Sequence, residues 1–142
     1  MSLLNACGTI VLTPVSATLA LEQTVSATAW TDVTGLSITI AALANERVLC
    51  CVAGQCVAAA GTTTGQQTLS INGVDIVNGA GDGLSAWYGP QWSRHGIGIA
   101  YLSDALAVGN RIIKVRAKKQ GGGDANYLIK VTTRLSLIRL VG

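Results

Sequence analysis

Residues 35–41, which read GLSITIA, decide the fold class. Leu36, Ile38 and Ile40 alternate with hydroxyl-bearing residues, so an extended chain carries one apolar face and one polar face. The stretch therefore predicts a β-strand that buries one face and leaves the other in water.

Two later segments show the same alternation. In each, every second residue is apolar and most intervening positions carry charged or hydroxyl groups, so one face of each strand is expected to meet a core. The apolar sets are Ile113, Val115 and Ala117 in the first segment, and Tyr127, Ile129 and Val131 in the second.

Further short runs rich in Val, Ile and Thr lie between clusters of Gly, Asn and Asp, which is typical of an all-β domain. A total of about eight to ten strands favours a sandwich or a barrel. The only helix-like window, residues 41–47, is too short to cross between parallel strands, so antiparallel sheets are expected.

The Asn72-Gly73 pair predicts a tight hairpin turn. The other expected strands are residues 9–13, 17–21, 24–30, 47–52, 67–71, 96–102 and 134–140, with weaker runs at 75–77 and 84–88.

The composition predicts one domain with a partly covered surface. The chain has 142 residues, of which only 12% are charged, and its mean hydropathy is +0.46. A monomer of this mass should expose roughly 6,900 Å², which leaves about one charge per 400 Å². We therefore expect copies of the chain, or a larger assembly, to cover much of the surface.

Neither a membrane nor a nucleic acid is an expected partner. The longest apolar stretch, residues 48–60, contains Gly54 and Gln55 and is shorter than the ~20 residues of a spanning helix. The first residues have no basic flank, so they do not predict a secretory signal, and cytosolic synthesis is expected. A net charge of +3 is too slight to indicate nucleic-acid binding.

The four cysteines are Cys7, Cys50, Cys51 and Cys56. Cys50 and Cys51 are adjacent in an expected strand, so their side chains point to opposite faces and cannot share one metal ion. We expect small buried hydrophobes in a reducing compartment, with no metal and no cofactor.

No arrangement of residues indicates an enzyme. The single histidine, His95, has no nucleophile or carboxylate at a spacing that catalysis uses, so a packed or solvated loop residue is the favoured interpretation. The seven carboxylates are scattered, and most lie beside turns.

Five cations could form a basic face. Lys114, Arg116 and Lys118 alternate with apolar residues, and Lys130 and Arg134 could lie on a paired strand. Such a face could meet an acidic protein surface, although a solvated sheet face explains the pattern equally well. Aromatic residues are not interleaved with these cations, which argues against nucleic acid.

Half of the aromatic residues lie in LSAWYGPQWSRH, residues 84–95. Because Gly and Pro bound this segment, it is interpreted as an exposed loop. Trp87, Tyr88, Trp92 and His95 are then candidates for contacts with a ligand or partner. The alternative is that these rings close one end of the sandwich or fill a subunit contact.

The first 25 residues are less regular than the rest, and Pro14 demotes any strand there to an edge or an arm. We therefore expect an extended N-terminal arm over residues 1–25 and a β-sandwich domain over residues 26–142. Ile10, Val11 and Leu12, together with Pro14, are the candidate anchors of the arm on a partner.

The segment WTDVTGLSITI, residues 30–40, resembles the opening W-x-D-v-x-G-L-s-v-x-i of a jelly-roll domain common in phage-encoded proteins. Its central DG hairpin is matched by Asn72-Gly73, a later strand by residues 106–115, and its closing strand r-s-L-x-v-i by residues 134–138. The likeness covers roughly residues 28–140. The sequence departs from the pattern at residues 109–111, where the pattern often has a His, and in its pair of adjacent cysteines.

These domains are similar in architecture to the heads of tumour necrosis factor and of short-chain collagens. The resemblance implies an all-β fold, an antiparallel jelly-roll β-sandwich that forms a homotrimer. In phages such domains occur as capsid decoration proteins and as tail-fibre heads.

The resemblance therefore implies a structural virion protein and not an enzyme. The expected function is capsid decoration (cement), in which a trimer made in the host cytoplasm binds the major capsid protein on the outer capsid surface and stabilises capsomer contacts. The alternative is a receptor- or glycan-binding head of a tail fibre or spike, with the aromatic segment as its contact.

Overall fold

The computed structural model describes residues 8–142 and the backbone of Leu3–Leu4. Every regular element in this part of the chain is a strand. The strands are β1 (Leu3–Leu4), β2 (Ile10–Val11), β3 (Val15–Thr18), β4 (Gln23–Val25), β5 (Thr31–Ala42), β6 (Glu46–Ala58), β7 (Thr63–Ile71), β8 (Val74–Asp75), β9 (Ser85–Gly89), β10 (Arg94–Leu102), β11 (Gly109–Lys119), β12 (Tyr127–Ile129) and β13 (Arg134–Val141).

The strands form two antiparallel sheets. In sheet A, β6 lies at the centre: β10 pairs with one of its edges, and β13 and β12 pair with the other. In sheet B the order is β5-β11-β7, with β8 and β9 beyond β7. Between β5 and β13 the chain repeatedly crosses from one sheet to the other. This arrangement confirms the expected fold class, an all-β antiparallel jelly-roll β-sandwich.

The core lies between the sheets and follows the predicted alternation. Leu36, Ile38 and Ile40 are buried, and so are Ile113, Val115 and Ala117 on the neighbouring strand β11. Tyr127 and Ile129 are also fully buried. Val131 is exposed, contrary to the prediction, because β12 ends at Ile129 and the chain turns there.

Residues 10–25 belong to the sandwich, so the predicted arm is wrong for this part of the chain. β2 and β3 pair with β13, β4 pairs with β12, and Leu19 and Val25 are buried in the core. Pro14 lies between β2 and β3, where no strand ladder needs its missing N–H. Residues 1–2 and 5–7, including Cys7, lie outside the described part of the chain.

The hairpin between β7 and β8 turns at Asn72-Gly73, as predicted. Both residues have positive φ, 53° and 84°, which only such residues adopt readily. The Asn72 side chain also accepts a hydrogen bond from Ile112 N, so the turn is fixed to β11.

Candidate functional site

The outward side of sheet A carries an apolar patch on β6 and on the adjoining parts of β10 and β13, and the polar residues Arg47, Gln55, Arg94, Arg134 and Ser136 occupy other outward positions of these strands. Side chains alternate along a strand, so the odd-numbered residues of β6 and the even-numbered residues of β10 and β13 point away from the core. The pairing register places them side by side. We call the following set the apolar face: Leu49, Cys51, Ala53, Ala100, Leu102, Ile138 and Leu140.

The apolar face is accessible in the single chain. Leu102 is 49% exposed, and Ala53 and Ala100 are exposed as well. No outward position of β6, β10 or β13 carries a carboxylate. A sheet face in water normally carries polar side chains at these positions, and a contiguous apolar patch marks an interaction site.

The edge of sheet A beside this face is open. Among the described residues, β10 pairs with β6 alone, so its other edge presents unpaired backbone N–H and C=O groups. Gly96 and Gly98 leave two outward positions without side chains. The nine-residue strand has no proline, and its register with β6 is unbroken. The apolar face and this edge therefore lie side by side as two distinct surfaces, and another chain can pack on either.

The outer face of sheet B is polar and internally paired. Lys114 Nζ lies 2.6 Å from Asp32 Oδ2, and Arg116 Nε lies 3.1 Å from Asp32 Oδ1. The Arg116 guanidinium also donates 2.8 Å hydrogen bonds to both carboxylate oxygens of Asp75. This face therefore resembles an ordinary solvated surface, unlike its counterpart on sheet A.

The predicted basic face is divided between the two sheets. Lys114, Arg116 and Lys118 lie on β11, which pairs with β5 and β7 in sheet B. Arg134 lies on β13 of sheet A, and Lys130 directly follows β12 of the same sheet. The remaining three cations each have their own contact. Lys118 Nζ lies 4.6 Å from the centroid of the Trp30 ring, Lys130 pairs with Glu22, and Arg134 donates to Ser16 Oγ. The prediction of a single basic stripe is wrong.

The aromatic segment is a strand and a turn, and the expectation of four exposed contact residues is wrong for Trp87, while His95 is half-buried. Trp87 lies in β9, and its side chain is only 8% exposed because it faces the core. Tyr88, the next residue of the strand, points to the opposite face. Its ring stacks on His95 at 4.4 Å and meets Tyr127 edge-on at 5.3 Å. Trp87 and His95 thus close one end of the sandwich, as the alternative interpretation held.

Tyr88 and Trp92, in contrast, are 70% and 65% exposed. Trp92 lies in the turn between β9 and β10, where Ser93 N donates to Pro90 O at 3.1 Å. Its φ is +64°, a conformation that L-residues other than Asn and Asp rarely adopt. These two residues are the part of the segment that a partner could reach.

The three cysteines in the described part of the chain are free thiols. Cys50 and Cys56 are fully buried, and burial raises the pKa of each thiol to about 12, so neither is a ready nucleophile or metal ligand. Cys51 points to the opposite side, into the apolar face. The predicted interpretation as buried hydrophobes is confirmed for Cys50 and Cys56.

A buried ion pair closes the other end of the sandwich. Glu46 has no exposed surface, and its carboxylate accepts hydrogen bonds from Arg139 Nε at 2.5 Å and from Leu43 N at 2.8 Å. Burial by itself raises the pKa of Glu46, but the hydrogen bonds and the charge of Arg139 outweigh it and hold the pKa below 4.5. Glu46 is therefore more than the turn residue that the sequence predicted.

No cluster in the described residues offers a metal site or a catalytic pair. No three His, Cys, Asp or Glu side chains of residues 8–142 lie close enough together to hold a metal ion. His95 Nε2 is 2.9 Å from Ser93 Oγ, but that hydroxyl donates to Pro90 O within the turn. In the same part of the chain, no helix has the length and apolar character that crossing a membrane requires.

A groove of about 530 Å³ runs beside β5, between the β3–β4 connection and the start of sheet B. Gln23 spans it: its side chain accepts from Thr34 N at 2.7 Å and donates to Asp32 O at 3.1 Å. The side-chain amide of Gln23 thus forms hydrogen bonds with backbone groups of β5, as the backbone of a neighbouring strand would.

Comparison with solved structures finds matches of low sequence identity. The chain is 12% identical to a carbohydrate-binding module, CBM36, in complex with calcium and xylotriose; the match covers 89% of this chain and 99% of that one, with a TM-score of 0.42. It is 10% identical to a chain of infectious bursal disease virus, Gx strain, over 93% of this chain and 40% of that one, with a TM-score of 0.43. A match to dimeric latent PorU from Porphyromonas gingivalis has 13% identity and a TM-score of 0.43, and covers 90% of this chain and 12% of that one. No family model and no curated protein matches the chain.

Proposed function

We propose that this chain is a structural virion protein, a phage capsid decoration protein that works as a homotrimer, and that its copies meet through the apolar face. The observation that carries the proposal is the apolar face itself, together with the open edge of β10 beside it. The sequence resemblance to phage jelly-roll domains supplies the virion context and the trimer.

The dimensions of the surface supply about half of a standard contact. Three strands abreast, spaced about 4.8 Å apart and about nine residues long, cover roughly 430 Å². This is about half of the ~800 Å² per partner that a standard protein interface buries. The open β10 edge extends the surface sideways.

The shape of the surface favours a ring over a two-fold pair. A ring uses two different patches on each copy, whereas a two-fold dimer uses one patch twice. The apolar face and the adjacent β10 edge are two such patches, so the edge of one copy can pack on the apolar face of the next.

Binding of the trimer to the capsid would depend on its three copies, each of which makes the same contact. Once the apolar faces lie inside a trimer, each copy can contact the shell through surface that lies outside both the apolar face and the β9–β10 turn. Three identical weak contacts on one rigid trimer bind far more tightly than one. Residues 10–14 would contact the shell as part of sheet A and not as an extended arm, because β2 and the Leu12 N–Arg139 O hydrogen bond hold them in that sheet.

Self-association is tested by placing a charge in the apolar face. Ala100→Lys buries an ammonium group in the contact without a carboxylate partner, so the trimer is expected to dissociate to a folded monomer, measured by light scattering after gel filtration. Ala41→Lys is the matched control, since Ala41 is also an exposed alanine on an edge strand but lies on sheet B. Cys51 should react with a maleimide faster in Ala100→Lys than in the wild type, measured in a Cys7→Ser background. Equal masses for the two lysine variants would contradict the proposal.

The decoration function is tested by copy number. Quantitative mass spectrometry of purified virions that encode this chain should find a ratio near one copy per major capsid subunit. A ratio of a few per cent would place the chain in a tail or spike, and its absence from virions would overturn both structural functions.

A further inference from the structure

Tyr88, in β9, and Trp92, in the turn that follows β9, are two largely exposed aromatic residues. Trp92 adopts a left-handed backbone conformation that costs an L-residue roughly 1–2 kcal/mol, and its ring is still 65% exposed. Burial of the ring therefore does not offset the strain. Strain of this kind persists where the surrounding structure imposes it, and it often marks a binding site.

The turn is rigid. Trp92 N donates to Ala58 O at 3.0 Å, and Ser93 O accepts from Ala58 N at 3.3 Å, so the turn is fixed to the end of β6. Beneath it, Ser93 Oγ is hydrogen-bonded to both Pro90 O and His95 Nε2. The position of Trp92 is thus set before any ligand arrives, which lowers the entropy cost of binding.

Tyr88 adds a second ring at this end of the sandwich. It points outward from β9 because its neighbour Trp87 points inward, where the Trp87 ring stacks on His95. Tyr88 is 70% exposed and pairs across the sheet with Thr64.

The electrostatics of the segment favour an uncharged ligand. Residues 84–95 contain no carboxylate, and Arg94 is the one residue with a permanent charge; the polar neighbours are hydroxyl and amide groups such as Ser85 and Gln91. A nucleic-acid strand would need several cations along its backbone, which this segment lacks. Aromatic faces carry negative charge density and attract the polarised C–H groups of a sugar ring, while hydroxyls and amides bind its O–H groups.

We infer that Trp92 is the stacking residue of a binding site for a neutral carbohydrate, with the exposed Tyr88 as a second contact at the same end of the sandwich. The site is independent of the apolar face, since it lies on the β9–β10 turn and the outer side of sheet B. Binding of sugar by a decoration protein would attach virions to glycan-coated surfaces.

The probe is a panel of neutral oligosaccharides of glucose, xylose, galactose, mannose and N-acetylglucosamine, tested on the full chain by calorimetry and by saturation-transfer NMR. At least one member should bind, and Trp92→Gly should weaken that binding by about tenfold or more, the size of a hot-spot aromatic contact. Because glycine accepts φ +64° without strain, the same variant should keep or raise the melting temperature. Tyr88→Ala should weaken binding as well, and Leu21→Ala, at an exposed leucine elsewhere, should not.

Three results would overturn the site. They are failure of every oligosaccharide to bind the wild type, wild-type affinity in Trp92→Gly, and a change of oligomeric mass in Trp92→Gly. The last would make Trp92 a protein contact. Loss of trimerisation in Ala100→Lys with sugar binding intact would separate this site from the proposed assembly.

Discussion

Replacing Arg139 with methionine is expected to lower the free energy of unfolding by about 3–5 kcal/mol. The change leaves Glu46 fully buried with its charge uncompensated except for the Leu43 N–H, since Arg139 supplies both other hydrogen bonds to this carboxylate. Urea denaturation at pH 7, followed by circular dichroism at a fixed protein concentration, measures the effect.

The pH dependence of the free energy of unfolding shows whether the unpaired charge of Glu46 causes the loss of stability in Arg139→Met. The folded-state pKa of Glu46 lies below 4.5, so in the wild type its contribution is present above pH 4.5 and is lost as the pH falls through the folded pKa. In Arg139→Met, burial instead raises the pKa of Glu46, so acidification neutralises the unpaired charge. The difference between the two proteins should therefore shrink from pH 7 towards pH 4.

A double variant provides the control for the ion pair. Glu46→Leu with Arg139→Met removes both charges, and it should recover much of the loss, because apolar pairs commonly replace buried ion pairs without cost. A double variant as unstable as Arg139→Met would mean that the loss comes from packing and not from the stranded carboxylate.

Replacing Trp87 with alanine is expected to cost about 3–5 kcal/mol, the usual range for a buried large aromatic side chain. Trp87 is the contact between the sheets at its end of the sandwich: it stacks on His95 of β10 and meets Tyr127 of β12. Tyr88→Ala, one residue away, should change stability by no more than about 0.5 kcal/mol, because that ring is exposed. Thermal and urea denaturation of both variants measure the contrast, and similar losses in the two would contradict the assignment of Trp87 to the core.

Local sequence patterns were enough to predict the long strands. The alternation at Leu36, Ile38 and Ile40 and at Ile113 and Val115 depends only on the two-residue repeat of a strand. The Asn72-Gly73 turn depends on φ preferences alone. These features need no knowledge of the partner strand, so the sequence predicts them correctly.

Features set by distant partners were not predictable in this way. β2 and β3 are two and four residues long, and β13 specifies them. Glu46 and Arg139 lie 93 positions apart, with no local signal for their pairing. Trp87 is a different case: adjacent Trp and Tyr in a strand must face opposite ways, so its burial could have been predicted once the segment was assigned as a strand.

The pairing of β13 also bears on how fast the protein folds. Ser16 and Arg134, which are in contact, lie 118 positions apart, and β13 is the strand that joins β2 and β3 to the middle of sheet A. Contacts of such high sequence separation place all-β domains among the slow folders, with times of milliseconds to seconds. During synthesis, β3 and the edge of β6 over residues 46–53 stay unpaired until β13 has left the ribosome. A nascent chain stalled before that point exposes open strand edges, and its main hazard is aggregation.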